Sequence, residues 1–266
     1  MQACLVQKVV ANKIHWTGIV QIQDMHHFIL LASSVCAISF AFTYEPENKN
    51  INFLELPAGI ERKQAFIDFL QPIIEEKNLS LLQDRQKLTR LSKKVKLNIR
   101  EQRWLRHIGH LYNNNEFNTN DESHWAELFS KVDLIPASLV VAQGAKESGW
   151  GISRFVQQGN NYFGQWCYKT GCGLVPKDRN QGADHEVAKY KSVQESVTNY
   201  INNLNTHSAY ITLREIRERL RKTGQAVTGH HLAYGLQHYS ERGQIYIEEI
   251  QALIRNNKLD MLEKSS

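Results

Sequence analysis

The sequence predicts a mainly helical α+β protein with a small β-hairpin lobe. Apolar residues recur at three- and four-residue steps over most of the chain after residue 60. One segment, Asn160 to Tyr190, breaks that rhythm with Gly164, Gly171, Gly173 and Gly182, clustered aromatics and alternation around Val187. The composition is ordinary for a globular chain: 266 residues, 42% hydrophobic, 22% charged, 5 Pro and 15 Gly. Collagen-like, disordered and low-complexity classes are excluded. A net charge of +5 is too weak to argue for nucleic acid and fits work on a polyanionic surface equally well.

Phe28 to Phe42 is an apolar run of 15 residues without a charge. A spanning helix needs about 20 such residues, whereas a signal-peptide core needs about 7–15. Residues 1–41 are therefore expected to be an export signal, with Met25 as a possible start and Ser39-Phe40-Ala41 as a small-x-small cleavage site; an uncleaved anchor is the alternative. Ser34-Val35 before Cys36 makes a poor lipidation box. The bulk of the chain is expected in the periplasm or cell envelope, with membrane association only through this amino-terminal segment.

Tyr44 to Leu56 is polar and Pro-bounded, the pattern of a linker. Phe66, Phe69, Leu70, Ile73 and Ile74 then fall on a helical period that Pro72 should kink or end. Leu79 to Tyr112 is a second helical stretch. Within it, Arg85 to Arg106 carries nine Lys/Arg and one acid, Glu101, which fits either a solvated face or attraction to anionic polymer or lipid headgroups. Asn113 to Asp121 is a turn-rich break, so a helical amino-terminal region is assigned to 42–119 and a second domain to 120–258.

A short helix over 123–132 opens that domain. Pro136 suits the start of the next helix, and Gly149 and Gly151 suit its end. After the lobe, Ser192-Val-Gln-Glu195 forms a capping box that opens a helix through Leu204. Helices at about 208–222 (stopped near Gly224), 227–237 and 242–256 complete the pattern.

One acid, Glu147, sits in the last turn of the apolar helix Pro136 to Ser148. The negative end of the helix dipole, burial and a neighbouring Trp150 all disfavour its ionisation. A general acid for glycosidic cleavage needs that shift, although a helix-terminal Glu paired with Lys146 or Arg154 would look the same.

Ala145-Lys-Glu147-Ser-Gly-Trp-Gly151 followed by Asn160-Asn-Tyr-Phe-Gly-Gln-Trp166 resembles the glucosaminidase domain of glycoside hydrolase family 73, found in flagellar-rod peptidoglycan hydrolases and autolysins. The run from Ile135 through Tyr246, with Gly-Leu-Val-Pro176, Asn203-Leu-Asn-Thr-His207 and His238-Tyr-Ser-Glu-Arg242, is similar to the Bax family of Gram-negative envelope proteins. The resemblance implies a lysozyme-like fold in which Glu147 ends a helix and faces a β-lobe across a cleft. It implies a second acid in the lobe, carried to Glu186, 39 residues downstream, with Asp184 as the neighbouring option. An essential tyrosine maps to Tyr239, with Tyr246 as the other option. Trp150, Asn161, Phe163, Trp166 and Tyr246 are expected to bind substrate, although Phe163 fits better as the core residue that anchors the lobe and Asn161 equally fits a cap of the turn.

Cys167 and Cys172 flank a turn-like Tyr-Lys-Thr-Gly and are expected to bridge in an oxidising compartment. A metal would need more ligands than His185 alone offers. No metal and no cofactor are expected. The sequence therefore reads as a monomeric, exported hydrolase of peptidoglycan glycan strands, of endo-β-N-acetylglucosaminidase type, either inverting or substrate-assisted. A muramidase or lytic transglycosylase on the same fold is the enzymatic alternative, and a wall-binding or morphology protein without turnover is the non-enzymatic one.

Overall fold

In the computed structural model, which describes residues 51–176 and 185–264, the apolar rhythm after residue 60 folds into helices around a buried centre. The apolar run 28–42 and Asp184 lie outside the described residues. Helix α1 (Ile60–Ser92) buries Phe66, Ile67, Leu70, Ile74, Leu81, Leu88 and Leu91 along one stripe. It continues without a break through Pro72, so the expected boundary does not fall there. Proline inside a helix costs about 3 kcal/mol. Leu70 and Ile74, both fully buried on either side of it, each contribute about 1.5–3 kcal/mol, so the stripe outweighs the breaker.

The second expected helix is split. Its first half is the end of α1, and α2 (Ile99–Leu111) starts afresh at Asn98. Asn98 Oδ1 accepts from the Glu101 amide at 3.0 Å, while Glu101 Oε2 accepts from the Asn98 amide at 3.0 Å, a full capping box. The linker reading also fails at its end: Phe53 is fully buried, 5.5 Å and 5.6 Å ring to ring from Phe66 and Phe69.

Helix α3 (Glu122–Lys131) leads to α4 (Ala137–Ser148), in which every residue except Lys146 and Glu147 is buried. Such an all-round apolar helix is stable only as the centre of a fold. α1 packs against it on one side, and the carboxy-terminal helices α8 (Gly229–Leu232) and α9 (Gln244–Asn256) and the 3₁₀ segment Leu259–Lys264 pack on others. The hydrophobic core runs without a break from Phe53 to Leu259, across the boundary drawn at residue 120.

After α5 (Arg154–Gly159), the lobe is a three-stranded antiparallel sheet rather than a hairpin. β3 (Glu186–Ala188) lies between β1 (Trp166–Cys167) and β2 (Gly173–Leu174), and Val187 opposes both Trp166 and Leu174. α6 (Val193–Thr206) follows, with Ser192 Oγ accepting from the Glu195 amide at 3.2 Å. Glu195 accepts from Lys191 N rather than Ser192 N, so the box is half closed. The stretch 208–222 divides into a 3₁₀ turn, Ser208–Tyr210, and α7 (Ile211–Lys222), while 227–237 is α8 continued by 3₁₀ turns over Ala233–Leu236.

Asp133, 2% exposed, ties these layers together. Arg221 of α7 grips its two oxygens at 2.5 and 2.6 Å, with Arg85 of α1 at 3.5 Å and Arg217 at 3.7 Å. Arg217 is itself buried, pulled down to about 10 by desolvation, and donates to the carbonyls of Ser130, Asp133 and Leu134 and to Asn205 Oδ1.

Candidate active site

Helix α4 ends one residue after Glu147, and the end is built from Gly149-Trp150-Gly151. All three have left-handed backbone (φ 59°, 61° and 84°). Gly149 is the αL cap. Gly151 faces the Phe53 ring so closely that a Cβ would collide with it. Ser148 Oγ donates to the Gly144 carbonyl at 2.6 Å and accepts from the Gly151 amide at 2.8 Å. The turn is thereby fixed, and Glu147 projects from the last turn of α4.

The Glu147 carboxyl is half-buried, and burial raises its pKa above the ordinary carboxylate value. Two smaller effects oppose that rise: a hydrogen bond from Tyr246 and the charge of Lys146. Tyr246 Oη donates to Glu147 Oε1 at 2.7 Å. Behind it, Gln143 Nε2 donates to Tyr246 Oη at 3.0 Å, and Tyr200 Oη donates to Gln143 Oε1. Gln143 and Tyr200 are fully buried, so the chain of donors runs outward from the core to one carboxylate oxygen. The other oxygen, Oε2, borders Gly164, where a Cβ would stand 3.4 Å away.

Glu147 lines a cleft of about 570 Å³. Residues 163–166 and Tyr168 of the lobe form one wall; Asn203, His207, Tyr210, His238 and Tyr239 form the other. Trp166 stands on the rim, 57% exposed, its ring stacked on His185 at 4.0 Å. Tyr239 is stacked parallel to Tyr246 at 5.4 Å, but its hydroxyl donates to the Phe163 carbonyl at 2.7 Å. Phe163 reaches the cleft from a ring that is buried and stacked on Tyr200 at 4.0 Å.

The remaining residues singled out from sequence lie off the cleft wall. Trp150 packs edge-on against Phe66 at 5.6 Å with Lys63 Nζ 5.1 Å from its ring centre. Asn161 is 1% exposed: its amide donates to the carbonyls of Gln165 and Ala188, and its oxygen accepts from Phe163 N and Gln165 N. Glu186 is buried in the lobe, its oxygens accepting from Gly171 N at 2.9 Å and Gly173 N at 2.7 Å.

Gly171 N lies within the loop closed by the Cys167–Cys172 disulfide (Cα–Cα 6.3 Å), and Gly173 N opens β2 directly after it. The two sulfurs and a Glu186 oxygen lie within 4.8 Å of one another, but sulfurs bonded to each other are no longer thiolate ligands, so the group offers a cation only the carboxylate.

Residues 122–259 match the family described as mannosyl-glycoprotein endo-beta-N-acetylglucosaminidase. The chain belongs to the glucosaminidase family. It is therefore a glycoside hydrolase, as the resemblance in its motifs implied. This glucosaminidase is 33% identical over 202 residues to protein bax of Escherichia coli (strain K12), an alignment covering 76% of this chain and 72% of that protein. The catalytic domain of the autolysin Auto from Listeria monocytogenes superposes with a TM-score of 0.43 at 16% identity, over 92% of this chain and 99% of that one.

The glucosaminidase cleft also contains residues that the sequence reading did not assign. Asn203, His207 and His238 stood inside quoted motifs without a role. Gln143 carries a signal that was available: it lies one helical turn before Glu147 on an otherwise apolar helix, and a polar side chain there needs a buried partner.

Proposed function

We propose that the protein is a peptidoglycan hydrolase that cleaves β-1,4 bonds after N-acetylglucosamine, with Glu147 as the general acid. The observation that carries this is a half-buried carboxyl, raised in pKa, that receives a directed hydrogen bond on one oxygen while its other oxygen borders the cleft. Tyr246 occupies Oε1 as a donor, so the proton of the neutral acid belongs on Oε2. That oxygen would protonate the glycosidic oxygen as positive charge builds on the sugar ring. When the proton leaves, the Tyr246 hydroxyl is already aimed at the carboxylate and stabilises it. The glucosaminidase family match supports the bond class; wall glycan is the substrate assigned here, and the cell envelope the place.

Glu186 is assigned to holding the lobe rather than to activating water. One of its oxygens serves the disulfide-closed loop at Gly171 and the other the start of β2 at Gly173, and turning toward Glu147 would strand two amides. The substrate's own acetamido group is then the nucleophile, with Asn203, His207, Tyr210 and His238 as the polar groups near enough in the cleft to orient it. Tyr239 fixes the floor through Phe163, and Trp166 offers its face to a pyranose ring.

A single acid among the described residues of the cleft also suits a muramidase or lytic transglycosylase, and product chemistry separates them. Digestion of purified sacculi followed by mass spectrometry should show reducing N-acetylglucosamine ends, absent with Glu147→Gln. Muramic acid or anhydromuramic ends would replace the glucosaminidase assignment with its rival. Equal binding to sacculi without any product would replace both with a binding protein.

A further inference from the structure

The basic run from the end of α1 into α2 divides into two groups. Toward its base, the fold uses the cations: Arg85 donates to the carbonyls of Phe129 and Val132 and pairs with Asp133, and Lys87 lies 4.0 Å over the Trp104 ring. At the tip, where the chain turns between α1 and α2, it does not. Arg90, Lys93, Lys96, Arg100, Arg103 and Arg106 are all exposed and make no ion pair among the described residues. Only Lys94 is paired, to Glu101 at 2.6 Å, and Glu101 is the sole acid between residues 85 and 106. With nine cations against one acid here and a net charge of only +5 overall, the rest of the chain is net acidic. The positive charge of this protein is concentrated at one place.

Two aliphatic side chains stand at its centre. Val95 is 106% exposed and Ile99 is 72% exposed. Ile99 opens α2, where a polar residue would serve the helix as well, and Val95 touches nothing that its burial could stabilise. We propose that the α1–α2 tip docks on an anionic lipid bilayer, its cations among the headgroups and Val95 and Ile99 at the headgroup–acyl boundary. A soluble polyanion or wall polymer would need only the cations. The paired aliphatic residues distinguish a membrane, which takes up apolar side chains beside basic ones. The apolar part of the contact survives salt, whereas the ionic part decays within a Debye length.

Hydrogen exchange of the full chain by mass spectrometry tests this locally, so that anchoring through residues 1–50 does not mimic it. Vesicles of 30% phosphatidylglycerol in phosphatidylcholine should slow exchange across residues 93–103; pure phosphatidylcholine should not. The Lys93→Glu, Lys96→Glu double variant should need about 25-fold more anionic lipid for half-protection, at about fivefold per basic residue. Val95→Ser with Ile99→Ser should weaken protection on lipid while leaving retention on a polyglutamate column unchanged. All four positions are exposed, so an unchanged melting temperature is expected and certifies the variants. Unaltered exchange of 93–103 on anionic vesicles would overturn the proposal. So would equal slowing by polyglutamate or lipid-free sacculi with no effect of the two serines, which would assign the tip to a polymer.

Discussion

At the scale of single residues, Glu147 should carry both a rate and a stability signature. Glu147→Gln is nearly isosteric and should abolish hydrolysis; retention of more than a tenth of the wild-type rate, about 1.4 kcal/mol of barrier, would remove the residue from the role of general acid. The same variant should melt higher than wild type near neutral pH. A carboxyl whose folded pKa is raised binds more protons folded than unfolded between its two pKa values, so wild-type stability falls as pH rises through that window. Glutamine has no such window. The difference in melting temperature should therefore open above about pH 4.3, the ordinary Glu value, and close below it. Tyr246→Phe works on the same group. It removes a hydrogen bond that lowers the Glu147 pKa, so the alkaline limb of kcat/KM should move to higher pH while kcat falls about tenfold or more. A purely structural tyrosine would leave that limb in place. Tyr200→Phe, two hydrogen bonds further back, should shift it in the same direction by less.

At the scale of elements, the lobe and the Asp133 hub make separate predictions. If Glu186 holds the loop, Glu186→Gln brings an NH₂ against an amide donor and should cost about 1–3 kcal/mol by denaturant titration, with kcat nearly unchanged. A hundredfold loss of kcat with unchanged stability would restore Glu186 as the second acid. Asp133→Ala strands three arginine partners in and around the core and should cost about 3–5 kcal/mol. Element by element, the sequence was legible where one local rule dominates. The Gly149 stop, the Ser192 cap and the Cys167–Cys172 pair are each written in a few adjacent residues. It misled where a distant partner outvotes the local rule. Pro72 reads as a break, yet the residues around it face a core assembled from segments far along the chain. Asn161 reads equally as a sugar ligand or a turn cap, since nothing nearby shows that the Gln165 and Ala188 carbonyls will claim its amide. The Tyr246–Glu147 contact joins residues 99 apart in sequence, and only the packing of α9 on α4 creates it.

At the scale of the whole molecule, the question is whether the helical region before residue 120 is an accessory or part of the catalytic fold. Sequence suggested an accessory because Asn113 to Asp121 breaks the helical rhythm and the recognisable motifs all follow it. The packing argues the reverse. Phe66 and Leu70 of α1 lie against Gly144 of α4, one turn before Glu147, where a Cβ would stand 3.5 and 3.4 Å from them. Phe53 lies against Gly151, in the turn that ends α4. α1 alone contributes seven buried apolar residues, which at about 1.5–3 kcal/mol each together match or exceed the roughly 5–15 kcal/mol of net stability that a folded protein has to lose. Without them, one side of an otherwise buried helix would face water. A chain beginning at residue 120 should therefore fail to fold: no cooperative thermal transition, dye-binding apolar surface, and no hydrolysis of sacculi. A chain beginning at residue 51 retains Phe53 and α1 and should melt cooperatively and cleave. A folded, active 120–266 fragment would show that the amino-terminal helices are an appendage after all, and would leave the exposure of Val140, Val141 and Gly144 to be answered by some rearrangement of α9 across α4.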